Sequence, residues 1–105
     1  MDEPTYQKLA DAALRKVEDM LADVDAEDVD LDRSGDVITL TLRGGAKCVI
    51  NTQRPTRQIW MAHAAQAWHF AWDPARAAWV DDKGRGVELF GQIASIVGSA
   101  GVSLR

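Results

Sequence analysis

Between Val37 and Val80 apolar and polar residues alternate in runs with a period of two, while the segments on either side carry the period of a helix. Side chains along a strand point to opposite faces in turn, so the alternation commits the middle of the chain to a sheet with one face on a core. In the first run Ile38, Leu40 and Leu42 share one face and Val37, Thr39 and Thr41 the other. Gly44 and Gly45 break that run, and a second strand is predicted from Ala46 to Asn51. A two-residue loop between them would oppose Leu42 to Lys47 and set Lys47 and Asn51 on the core face. A three-residue loop of Arg43, Gly44 and Gly45 instead opposes Leu42 to Ala46, Leu40 to Cys48 and Ile38 to Ile50, with glycine at the last, left-handed position.

Pro55 ends this hairpin. Gln58 to Ala62 form a third run in which Ile59 and Met61 share a face and Trp60 joins Gln58 on the other. Trp68, Phe70 and Trp72 mark a fourth run, Asp73-Pro74 a turn, and Ala78 to Val80 a short strand before the loop that begins Asp81, Asp82, Lys83, Gly84. Upstream, Tyr6, Leu9, Ala13, Val17, Met20, Leu21 and Val24 recur at three and four, which predicts a helix over about residues 4–23. Pro4 suits its first turn, and Asp2 or Glu3 just ahead complements the helix dipole. Downstream, Leu89, Phe90, Ile93, Ala94 and Val97 predict a second helix ended by Gly98 or Gly101, and Val102 to Leu104 can lie extended on the core.

The order helix, five or so strands, helix implies an α+β two-layer sandwich, with two helices packed on one face of an antiparallel β-sheet. The other face, with Thr39, Thr41, Lys47, Val49, Asn51, Gln58 and Trp60, is expected to be open to water. A chain of 105 residues builds one core, so residues 1–105 are read as a single domain. One cysteine excludes a disulfide framework and a cysteine-rich zinc site. There is no run of about 18 apolar residues and no basic leader, so a cytoplasmic, membrane-free protein is expected.

The net charge of −4 conceals an asymmetry, because residues 1–36 hold 12 acids and 4 bases while residues 37–105 hold 4 acids and 8 bases. The acids concentrate in Glu18, Asp19, Asp23, Asp25, Glu27, Asp28, Asp30 and Asp32, with no Lys or Arg among residues 18–32. Asp19 and Asp23, four apart near the end of the predicted helix, repel each other by about 0.2–0.5 kcal/mol and oppose the dipole as well. Folding does not favour such a run. Asp28, Asp30 and Asp32 alternate with Val29 and Leu31, so they project from one face of an extended segment that continues the helix's acidic ridge. Carboxylates without His or Cys suit Ca²⁺, Mg²⁺, Mn²⁺ or Fe²⁺. The run lacks the Gly and Glu positions of an EF-hand, so binding is expected to be weak, multi-site and salt-sensitive. A solvated acidic surface is the plain alternative, and a basic protein partner would use the same ridge.

Trp60, flanked by Gln58 and Asn51, reads as an exposed hot spot unless a loop or the chain end covers it. Trp68, Phe70, Trp72 and Trp79 keep the period of the core face and read as core. His63 and His69 fit no zinc pattern and read as surface histidines, and Cys48 reads as a buried, inert thiol. No Ser-His-Asp set or glycine-rich phosphate loop is present, and the acidic total with scattered bases argues against nucleic acid.

The residues that draw these features together are Leu9-Ala10-Asp11, the acids from Glu18 to Asp32, Asn51-Thr52-Gln53 with Pro55, Gln58-Ile59-Trp60-Met61-Ala62, Trp68-His69-Phe70 and Trp79. In them the chain resembles bacterial frataxins of the CyaY type over essentially its full length. The Asn-x-Gln-x-Pro-x-x-Gln-Ile-Trp-Met-Ala stretch is the specific part. The resemblance implies the two-helix, antiparallel-sheet fold and a protein of iron–sulfur cluster assembly. Such a protein binds Fe²⁺ or Fe³⁺ weakly and acts as iron chaperone or regulator of a cysteine desulfurase and its iron–sulfur scaffold protein. It implies iron ligands among Glu18, Asp19, Asp23, Asp25, Glu27, Asp28 and Asp30, and partner contacts through Asn51, Gln58 and Trp60. A monomer that is not an enzyme is expected, with iron-dependent oligomers and weak ferroxidase activity as secondary possibilities. An iron oxidase or storage protein is the alternative. Some relatives carry His near the start of the first helix, where this chain has Gln7, and the stretch from Ala26 to Val37 is one residue shorter than in some members.

Overall fold

The computed structural model describes residues 1–104. Helix α1 spans Glu3–Met20. Asp2 is its N-cap, with Oδ1 accepting the Thr5 N–H at 2.9 Å, and Glu3 already lies inside the first turn beside Pro4. The helix ends three residues before the expected position 23. Leu21 and Ala22 turn their N–H groups to the carbonyls of Glu18 and Asp19, so the chain closes in a tight i to i+3 turn. With Glu18 and Asp19 at the negative end of the dipole and no base in the last turn, extension through Asp23 would only add repulsion.

The strands are β1 Val29–Ser34, β2 Val37–Leu42, β3 Lys47–Gln53, β4 Gln58–His63, β5 Gln66–Asp73 and β6 Ala78–Asp81, followed by helix α2 Leu89–Ser99. They form one antiparallel meander in chain order. The β2–β3 register is the one that the three-residue loop requires, pairing Leu40 with Cys48 and Ile38 with Ile50. Leu42 N–H donates to Ala46 O at 2.7 Å, and Gly45 sits at φ +98°. The strand it leads into begins at Lys47 and continues two residues past Asn51.

One apolar cluster takes Tyr6, Leu14 and Val17 from α1, Leu89, Ile93 and Val97 from α2, and Ile38, Leu40, Ile50, Ile59, Met61, Phe70 and Trp79 from the sheet. The residues alternating with these along the strands stay half-buried or exposed, so both helices cover the same face. Trp68, Phe70 and Trp79 are buried as expected, while Trp72 is only partly covered and packs edge-on against Trp79 at 5.5 Å. Tyr6 Oη donates to Gln58 O at 2.7 Å, tying α1 to β4. At the end of α2, Val102 N–H returns to Val97 O and Gly101 N–H to Gly98 O, with Gly101 at φ +85°, a left-handed close. Val102 and Leu104 then pack against the core without forming a strand.

The main departure is β1. The acidic segment treated as a ridge extension is a sixth, edge strand, pairing Asp30 with Thr41 and Asp32 with Thr39. Asp30 and Asp32 therefore lie on the open face with the threonines. On the other face Val29 and Leu31 join the core, and Arg33, in register with the core residue Ile38, reaches α1.

Candidate functional site

Two regions carry the sequence-derived candidates. The first is the acidic edge, made by the end of α1, the following turn and β1. Arg33 crosses from β1 to α1, with Nη1 2.6 Å from Glu18 and Nη2 2.9 Å from Asp11. The Glu18 and Asp11 carboxylates raise the Arg33 pKa, and Arg33 in turn lowers that of Asp11. Asp28 pairs with Arg43 of the β2–β3 loop. Asp25 Oδ1 accepts the Glu27 N–H at 2.8 Å and holds the turn before β1. Thus Glu18 and Asp28 already have guanidinium partners, although no base lies within residues 18–32.

Among the described residues, Asp19, Asp23, Glu27 and Asp30 have no ion pair. Asp19 and Asp23 line one cleft with Met20, Val24, Ser103 and Leu104. No three acidic, histidine or cysteine side chains among the described residues converge into a metal cage. These oxygens fit a hard or borderline cation held in an open, water-sharing way, and their joint field extends into solvent.

The second region is the open sheet face, where the structure does bring the predicted residues together. Trp60 on β4 faces Asn51 of β3 and His69 of β5 in register. The Trp60 indole N–H donates to Gln58 Oε1 at 2.9 Å, and Gln58 Nε2 donates to Asp82 at 3.0 Å. Trp60 is therefore half-buried rather than exposed. The His69 ring stacks on it, with centroids 4.2 Å apart and planes 16° from parallel. This arrangement limits the indole's motion and leaves part of it to solvent, as a preorganised contact residue requires.

His69 and Asp82 were missed in the sequence. The one available signal was that His69 keeps the period of the open face on the next strand of the meander after Trp60. Asp82 is set in place from behind. Its N–H donates to His69 O at 2.9 Å, and the adjacent Asp81, 5% exposed, accepts from Arg85 Nη2 at 2.6 Å and Nε at 2.9 Å. The Arg85 hydrogen bonds hold the Asp81 carboxyl below the usual carboxylate range. His63 Nδ1 lies 3.0 Å from Lys47 O, away from this cluster. Cys48 is fully buried, and burial pushes its thiol up to about 12, which leaves it protonated and unreactive.

Comparison with known proteins bears on the fold and the family of the chain. The frataxin-like domain family matches residues 1–101. The iron-sulfur cluster assembly protein CyaY of Variovorax paradoxus is 34% identical over 97 residues, covering 90% of this chain and 86% of that protein. The protein of the same name from Pseudomonas aeruginosa is 35% identical over 82 residues, covering 78% of this chain and 75% of its own length. Frataxin from Psychromonas ingrahamii superposes with a TM-score of 0.87 at 27% identity, over 99% of this chain and 96% of that one. Trimeric frataxin from Saccharomyces cerevisiae, complexed with ferrous iron, superposes at 0.74 with 28% identity, over 88% of this chain and 84% of that one. The family match over nearly the whole chain, the relatives and the shared fold meet in one assignment: this chain belongs to the frataxin-like family.

Proposed function

We propose that this protein acts in iron–sulfur cluster assembly as a non-enzymatic, iron-binding regulator or chaperone. Its acidic edge binds iron weakly and docks a basic surface of a cysteine desulfurase, and Trp60, Gln58 and Asn51 engage the scaffold protein. The observation that carries the reading is the pairing of unbridged carboxylates at Asp19 and Asp23 with a preorganised indole on the adjacent open face. The relatives named for cluster assembly and the ferrous complex of the yeast neighbour support it. Iron here is cargo. An open row of carboxylates releases a cation more readily than a closed cage, and this suits delivery.

The same carboxylates serve iron and partner, so the two uses compete. An iron-loaded edge carries less negative charge and steers a basic partner less well. The test is anaerobic Fe²⁺ calorimetry on the wild type and on Asp19→Asn with Asp23→Asn, followed by desulfurase binding with and without Fe²⁺. The expected result is a severalfold loss of iron affinity in the double variant and weaker desulfurase binding when iron is present. Unchanged values in both measurements would sink the reading. The trimeric state of the yeast neighbour favours a second reading, an iron-oxidising or iron-storing assembly. That reading predicts oxygen-dependent Fe³⁺ formation above buffer, together with iron-dependent oligomers in size-exclusion chromatography.

A further inference from the structure

The stacked pair on the open face has a titratable member. We propose that proton uptake by His69 is a switch that locks Trp60 against the sheet and weakens docking through that indole. The docking consequence rests on the scaffold-binding role proposed above, and the lock itself does not. His69 and Trp60 already lie face to face at 4.2 Å. His69 Nδ1 is 3.9 Å from Asp82 Oδ2, too far for a hydrogen bond but close enough for a small ring or carboxylate rotation to make one. Asp82 meanwhile accepts from Gln58, which in turn accepts from the Trp60 indole N–H.

Charging the imidazole adds two attractions that the neutral ring lacks. A cation is placed over the negative face of the indole, and an ion pair can form with Asp82. Both pull on groups that hold Trp60. The surroundings leave Asp82 as the charged group closest to the ring. On this face β4 supplies Gln58, Trp60 and Ala62, none of them charged, and both helices lie on the far face. Asp81 shares the core face with Phe70 and is neutralised by Arg85, whose Nη2 also reaches Ala67 O at 3.4 Å. Lys83 follows Asp82 and is exposed. Histidine is the side chain suited to such a change of charge in the physiological pH range. Partner binding through Trp60 requires the indole to leave or share its stack, so a tighter stack opposes it.

The chain has two histidines, which makes assignment direct. The measurement is tryptophan fluorescence and anisotropy of the intact protein from pH 8 to pH 5, with the Trp60→Phe signal subtracted to isolate this indole. The expected result is one sigmoidal change with higher anisotropy at low pH, retained in His63→Gln and abolished in His69→Phe, which keeps a flat ring but cannot titrate. A flat difference curve, or the same transition in His69→Phe, overturns the switch. Should His69→Phe fail to fold by circular dichroism, His69→Gln serves the same comparison. In the second arm, the scaffold protein is titrated at pH 6 and pH 8 against wild type and His69→Phe, and the ratio cancels the scaffold's own titration. Wild type is expected to lose about two- to fivefold relative to the variant at pH 6, the size of an exposed cation–π contact. Equal pH dependence in both proteins overturns the docking consequence. Absence of scaffold binding at either pH refutes the partner role instead, and the fluorescence arm decides the switch.

Discussion

The acidic edge and the open sheet face lie at neighbouring sides of the molecule and are built in opposite ways. The edge gathers many like charges with little mutual geometry. Its fixed contacts are Arg33 to Glu18 and Asp11, Arg43 to Asp28, and the Asp25 turn. The sheet face gathers a few unlike groups, Trp60, His69, Gln58 and Asp82, joined by hydrogen bonds and a stack. Exposed charge acts at a distance and sets association rate, whereas a held aromatic acts at contact and sets dissociation rate. A two-part interface can use the first for capture and the second for commitment.

The largest effect is expected for Trp60→Ala. Loss of a central aromatic is expected to cost about 2 kcal/mol of scaffold binding, roughly thirtyfold in Kd, mostly through faster dissociation. The thermal midpoint should shift by only a few degrees, because the indole lies outside the buried cluster. Calorimetry and surface-binding kinetics on the same variant check both points. Global unfolding would mean that Trp60 supports the core and that the face is not a separate unit.

A smaller effect is expected at Asp81, which holds the loop carrying Asp82. Asp81→Ala removes a buried acceptor of three donors and is expected to destabilise the protein by about 1.5 kcal/mol in urea denaturation. Because the native Asp81 pKa lies below its unfolded value, its contribution is present in full above about pH 4 and is lost as pH falls through the native value. The variant should therefore show a flatter loss of stability below pH 4 than the wild type. An identical acid limb would show that the Arg85 pair contributes nothing.

The smallest effect is expected at the edge. Asp19→Asn relieves a charge at the negative end of α1 and is expected to raise stability by about 0.3 kcal/mol. Desulfurase association should slow at low salt, and the difference should shrink as ionic strength rises. A salt-independent loss would mean that Asp19 makes a specific contact, and the contrast between the two regions would then fail at that residue.

The candidate residues were unequally legible in the sequence. The β2–β3 register could be read because a period of two allows one loop length to keep Leu40, Cys48, Ile38 and Ile50 together. Trp60's face followed from the same alternation. The acid run was visible as composition, but its geometry was not. Whether Asp30 continues the helix's ridge depends on how β1 pairs with β2, and that pairing turned Asp30 and Asp32 to the open face. Arg33 could not be recognised as the clamp to Glu18 and Asp11, since its partners lie 15 and 22 positions away and meet it only after the helix packs. His69 looked solitary for the same reason, with Trp60 nine positions away along the chain and directly opposite across the sheet.

Local sequence suffices for the alternation of elements, the core face, the loop between β2 and β3, the family motif around Trp60 and the negative charge of the first third. Each of these is set by neighbours within a few residues, where periodicity and turn chemistry act. Long-range folding sets which acids are bridged, where α1 stops and which way β1 faces, and it brings an indole, an imidazole, an amide and a carboxylate into one cluster. Those outcomes depend on strand register and helix packing, which bring together side chains that no local pattern relates.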